Sequence, residues 1–237
     1  MRKAEKLILL LFLLPALLLL FVFTYLPAIW AVGVSLTNQA LIGVDALNPR
    51  FVGLANYEKL LNDEEFYHSL DISFQFVFFS AIVGQFVLGF LAALLLNRKG
   101  LHGTSLFAAV ILLPLAVPET VASMSWASML APGEFGTLNR VVTAVGGEAV
   151  NWLWQYPIPS IVLINIWRGI AFAMVMFLAA LQSVPDEVLE AAQIDGANAW
   201  QRLFYITVPL IRYVIVLFML LTTITSGRGY HVQERVL

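Results

Sequence analysis

The residues able to do bond-making chemistry are few and scattered. His68, His102 and His231 stand far apart in polar segments, and the chain contains no cysteine. No H-E-x-x-H helix, no G-x-S-x-G elbow and no supported Ser/Lys pair occurs. The acids gather in polar stretches and form no facing pairs for acid–base work. A G-x-x-x-x-G-K-[ST] phosphate loop is also missing from the sequence, so this chain has no such route to ATP. These residues predict neither an enzyme nor a bound cofactor or metal ion.

The segment Ser183–Pro209, SVPDEVLEAAQIDGANAWQRLFYITVP, carries most of the pattern. Ser183 is placed to cap a helix, with Pro185 in its first turn and Asp186 three residues on. Asp186, Glu187 and Glu190 suit the positive end of a helix dipole. Asp195-Gly196 signals a turn, and Asn198 can open a second short helix. Trp200, Leu203 and Phe204 then fall on one helical stripe. The small residues Ala191, Ala192, Gly196 and Ala197 allow a neighbouring backbone to come close. This describes a helix–turn–helix knob with a docking surface for another protein. The alternative is an amphipathic helix lying in lipid headgroups; one base, Arg202, against four acids disfavours it, because such helices are usually rich in Lys and Arg.

The stretches around this knob decide the setting. The 237 residues are 60% hydrophobic and 12% charged, about half the charge of an ordinary soluble domain. The apolar residues form blocks long enough to cross a bilayer, which takes about 20 residues. The expected architecture is all-α, a polytopic transmembrane bundle of about five spans near residues 7–35, 72–96, 104–130, 157–181 and 210–226, in one transmembrane domain over 1–237. The first apolar block is much longer than the roughly 7–15 residues of a signal peptide's core, so it reads as a retained span. Pro114, Pro118 and Glu119 interrupt the third.

Bases set the orientation. An inner N-terminus puts Arg2, Lys3, Lys6, Arg98, Lys99, Arg202 and Arg212 in the cytoplasm, and Arg50, Lys59, Arg140, Arg228 and Arg235 outside. The basic N-terminus and the short Arg98-Lys99 turn weigh most, because the rule holds best for short segments. Trp152, Trp154 and Tyr156 read as an outer aromatic belt. The net charge of −2 and the absence of a basic stripe exclude nucleic-acid tracking.

Within the spans, Arg168 falls near mid-membrane at 1.5 Å rise per residue. It reads either as a pore residue or as a structural partner of Glu119 or of helix-end carbonyls. Asn165 and Gln85, with Gln75 and Gln182, are candidates for a polar path, or for hydrogen bonds between helices.

Glu190-Ala191-Ala192, Asp195-Gly196-Ala197, Phe204, Ile206 and Pro209-Leu210 resemble the EAA loop of binding-protein-dependent ABC importer permeases. Trp167-Arg168-Gly169, Phe177 to Gln182, Val184-Pro185, Phe51 to Tyr57 and Pro132 to Gly136 resemble the sugar-importer branch, the maltose and glycerol-3-phosphate type. The resemblance implies a type I importer permease fold with six spans. It implies a permease subunit carrying a carbohydrate or related solute across a bacterial inner membrane. The partners it implies are an ATP-binding cassette ATPase dimer, a second permease forming a heterodimer, a periplasmic or lipid-anchored solute-binding protein, and membrane lipid. It assigns ATPase coupling to Glu190, Ala191, Ala192, Asp195, Gly196, Ala197, Phe204 and Pro209. After Thr225 the sequence leaves the family pattern, and a truncated C-terminus is expected.

Overall fold

A computed structural model describes residues 3–43, 46, 48–98, 100 and 102–236, with side chains over 11–227 of these. The chain forms two compact units, 1–69 and 70–237. Among the described residues there are helices and a single isolated antiparallel bridge, Thr37 to Phe51, but no strand. The charges expected to fix the orientation at Arg2, Lys3, Lys6, Lys99, Arg228 and Arg235, and the His231 ring, lie outside the described side chains.

In the first unit one long helix, α1, runs Lys3–Leu20, passes through a π turn at Phe21–Tyr25 and continues Leu26–Ser35. Pro27, in the first turn of the last section, has no N–H to donate, and the wider turn before it accommodates that loss. The stretch Leu11–Ser35 is apolar on every side and contains no buried residue, as expected of a span. Its C-terminal end is clamped by the Phe51–Tyr57 motif. Asn56 Nδ2 donates to the Ser35 and Thr37 carbonyls, both at 2.8 Å. The Tyr57 and Ser35 hydroxyls meet at 2.6 Å, and the Val52 amide donates to Leu36 O at 2.9 Å. Helix-end carbonyls without intrahelical partners are thereby satisfied. A short helix α2, Ala55–Leu61, follows.

The second span, α3, begins earlier than expected, at Glu64. It runs Glu64–Val77, through a π turn at Phe78–Gln85, to Phe86–Leu96. The third span is two helices, α4 (Thr104–Ala116) and α5 (Glu119–Met129), set 102° apart. The interruption expected at Pro118 and Glu119 falls at the break between these two helices. Pro118 pushes the residue before it out of the helical region, and Val117 is extended at φ −88° and ψ 123°. After a 3₁₀ turn at Gly133–Phe135 and α6 (Thr137–Ala144), the short α7 (Trp152–Gln155) leads into the fourth span, α8 (Pro157–Gln182). The polar segment between spans three and four is knotted by Asn139, which is fully buried. It holds the Ala131 and Val150 carbonyls, the Val150 amide and the Trp152 indole N–H. Trp152 thus anchors the loop from within, while Trp154 is exposed.

The fifth span also differs from expectation. A helical arm Ala199–Leu210 (α10) meets α11 (Arg212–Val236) at a 69° bend. The α11 backbone stays helical for 25 residues, through the polar stretch read as the end of the span.

Spans two and four hold the bundle together. A Cβ at Gly89 would collide with the Ala173 methyl, one at Gly84 with Ile166, and one at Gly169 with the Gln85 amide. Small residues let the two backbones approach, and close contact must substitute for a hydrophobic driving force that lipid does not supply. Below this seam Phe177 packs edge-on against Phe86 and Phe90 at 5.4 and 5.5 Å, and against Phe218 of α11 at 4.7 Å between ring centroids. Gly89→Leu is expected to lower the melting temperature in detergent sharply, because the seam must open. Gly33→Leu, with nothing within 4 Å of its Cβ, is expected to leave it unchanged.

Candidate functional site

The knob forms at 183–209 as a helical hairpin. Pro185, extended at ψ 132°, opens α9 (Asp186–Ile194), with Asp186 and Glu187 in its first turn. Ser183 does not cap α9. Its hydroxyl instead donates back to Ala180 O at 2.7 Å and finishes span four, because Pro185 holds the chain extended between the two helices. The turn at Asp195-Gly196 closes with the Gly196 amide donating to Gln193 O and the Ala197 amide to Ala192 O, at 3.1 and 2.9 Å. This is the paired bond pattern of a helix ending on a left-handed glycine, and Gly196 sits at φ +86°. Asn198 and Gln201 then exchange side-chain and backbone bonds at 2.9 and 2.8 Å, a complete capping box at the start of α10.

Of the residues assigned to coupling, Glu190, Ala191, Asp195, Gly196, Phe204 and Pro209 are exposed, Ala197 is half-buried and Ala192 is buried. Ala192 therefore packs inward, and the outward face is Glu190, Ala191, Ile194 and the turn. Trp200 and Phe204 stack at 5.8 Å and are both exposed. A π turn at Arg202–Thr207 precedes Pro209, so the expected stripe with Leu203 is only partly realised. The base of the hairpin is tied to the bundle. Val184 and Ile211 are buried in the same cluster as Phe177, Leu181 and Phe218, and Leu189 packs against it. Between the hairpin and the ends of spans two and four lies a groove of about 1340 Å³, with Leu91, Leu94, Arg98, Asp186, Trp200 and Arg202 on its walls.

The polar residues of the spans fall into two groups. Gln85 is buried, and its amide donates to Asn165 O at 3.0 Å. Asn165 Nδ2 donates to Ser80 Oγ at 2.8 Å and to Ser226 Oγ at 3.0 Å. Spans two, four and five are thus joined by one network; Ser80 and Ser226, which sequence reasoning passed over, complete it. Arg168 is separate. Its Nη1 meets Glu119 Oε1 at 2.7 Å, and the same two helices also meet through an edge-to-face pair of Trp126 and Trp167 with centroids 5.6 Å apart. Charge alone in an apolar stretch was the signal that could have promoted Glu119 to the candidate set.

Residues 85–237 match the family described as binding-protein-dependent transport system inner membrane component. The chain belongs to that family. It is an inner-membrane, multi-pass permease subunit of an ABC importer. The permease is 32% identical over 225 residues to the trehalose/maltose transport system permease protein MalF of Thermococcus litoralis, covering 94% of this chain and 74% of that one. It is 32% identical over 228 residues to the trehalose transport system permease protein SugA of Mycobacterium tuberculosis, covering 96% and 72%. A solved bacterial ABC transporter involved in the import of the acidic polysaccharide alginate superposes with a TM-score of 0.74 at 25% identity, over 96% of this chain and 77% of that one.

Asn198→Ala removes the half of the capping box in which the Asn198 side chain accepts from the Gln201 amide, leaving the backbone amide at 198 still able to donate to Gln201 Oε1, and is expected to destabilise the hairpin arm by about 1 kcal/mol. The check is hydrogen exchange: the Gln201 and Arg202 amides should lose protection while those of span four keep theirs.

Proposed function

We propose that this permease forms part of the path for a sugar or oligosaccharide and that the hairpin at 183–209 is its connection to an ATPase dimer. The second permease and a solute-binding protein complete the proposed assembly, with the hairpin and the N-terminus in the cytoplasm. The carrying observation is the hairpin: an exposed, capped, helix–turn–helix projection between two spans whose base is part of the bundle core. The sugar-transport relatives and the family's dependence on binding proteins support the solute class and the partners.

Mechanically, the outward face of α9, from Glu190 through Ala197, is the contact, with Phe204 and Pro209 setting how α10 meets span five. With no phosphate loop in its sequence, the permease takes its driving force from the ATPase. Closure of the ATPase dimer displaces the hairpin. Because Val184 and Ile211 share a buried cluster with Phe177 and Phe218, the displacement moves the inner parts of spans four and five as a body. Nucleotide supplies the difference in free energy between the inward and outward states.

The test is co-purification with the ATPase. Gly196 is a poor probe by itself: its positive φ means that most substitutions strain the turn before any partner is involved. Ala191 is exposed on regular helix, so Ala191→Trp should leave the permease's own melting unchanged and abolish ATPase association. Gly196→Asn, which tolerates the left-handed turn and meets open space in the chain, should fold normally and also weaken association. ATPase binding that survives Ala191→Trp would rule out α9 as the contact.

A further inference from the structure

Arg168 and Glu119 are charged residues that lie well inside the apolar stretches 157–181 and 104–130. Arg168 lies eleven positions beyond Pro157, roughly 16 Å along α8 at 1.5 Å per residue. Glu119 opens α5 where span three turns through 102°. Their side chains are in contact at 2.7 Å and yet remain 32% and 42% exposed, so the pair sits on an outer face of this chain's own bundle. An ion pair facing hydrocarbon is costly, and intramembrane charges face wet cavities or other protein. Trp167, next to Arg168 in the chain, and Trp126, two turns beyond Glu119 on α5, are half-exposed and pack edge-to-face on each other. A guanidinium and a carboxylate held together offer donors and acceptors with zero net charge, and the indoles offer apolar faces. That combination suits a polyhydroxylated, uncharged solute.

We propose that Glu119 is a specificity-determining residue: by cancelling the charge of Arg168 it keeps the middle of the path electrically neutral and selects uncharged, hydroxyl-rich solutes over anionic ones. The inference rests on the sugar-path reading above and sharpens it to a charge class. An uncharged glycan hydrogen-bonds to the pair without breaking it. An anionic one must displace Glu119 from Arg168 or meet its carboxylate, and repulsion is strong where water is sparse. Removing Glu119 alone leaves a bare cation and inverts the preference.

The test uses the assembled transporter in membrane vesicles. Thr120→Cys places a thiol on an exposed position beside Glu119 in a chain that has no cysteine of its own. Its reaction rates with an anionic and a cationic membrane-impermeant thiol reagent are followed as mass gained by this chain, with and without ATP. Glu119→Gln, which keeps a hydrogen-bonding partner for the guanidinium, should raise the anionic-to-cationic rate ratio about tenfold, the effect of one uncancelled charge nearby. Arg168→Gln should lower the ratio by about as much, and the double Gln variant should restore it. Met124→Cys, one turn along and exposed, repeats the measurement should Thr120→Cys fold poorly. A thiol that neither reagent reaches in any nucleotide state, or a ratio indifferent to Glu119→Gln, overturns the proposal. Trehalose or maltose uptake is measured on the same vesicles. Labelling as expected without uptake of either sugar supports the charge assignment and tells against the sugar reading, whereas uptake with unreactive thiols does the opposite.

Discussion

Everything in the second unit depends on how closely spans two and four can approach. In lipid, apolar helices gain little by hiding from their surroundings, so shape must hold them. Gly84, Gly89 and Gly169 remove the side chains that would keep the backbones apart. That closeness brings Gln85 within reach of Asn165 O, and Asn165 in turn gathers Ser80 and Ser226. It also brings Phe86 and Phe90 against Phe177, onto which Phe218 of span five packs. The polar network and the aromatic cluster are two consequences of one seam.

The seam also extends to the base of the hairpin. Val184, at the start of the hairpin, and Ile211, at its end, are buried in the cluster that contains Phe177 and Phe218. A push on the exposed face of α9 therefore meets packed rings, which resist gradual deformation and pass displacement on. The capping box at Asn198 and the glycine turn at Gly196 keep the hairpin itself from yielding first.

Much of this was legible in the sequence, and the failures share a cause. The hairpin could be read because its signals are local: Pro185, Asp195-Gly196 and Asn198 each act within a turn of themselves. Apolar length marked the membrane helices: three are long and apolar enough to cross, and up to five if each bent pair forms one span. The family resemblance followed from motifs in order. Ser183 was misread because two helix ends compete for one hydroxyl, and only the extended Pro185 decides between them. The right-angled third span was only half visible, since Pro118 announces a break but not its angle. Asn139 and the Ser80–Asn165–Ser226 network were invisible because their partners come from 8 to 85 residues away. The Phe51–Tyr57 motif had been recognised without a reason; Asn56 supplies one by closing the end of α1.

The π turn at Phe78–Gln85 puts one section of span two out of phase with the other. A widened turn acts like one extra residue, and in an α-helix each residue advances the face by roughly 100°. Positions before it, such as Phe76, and after it, such as Gly89, are both buried, yet no single helical wheel drawn through Glu64–Leu96 places both on one stripe. Loss of the widened turn would therefore swing the section before it by roughly 100° relative to the section after it, so that Phe76 and Gly89 could not both keep their buried contacts.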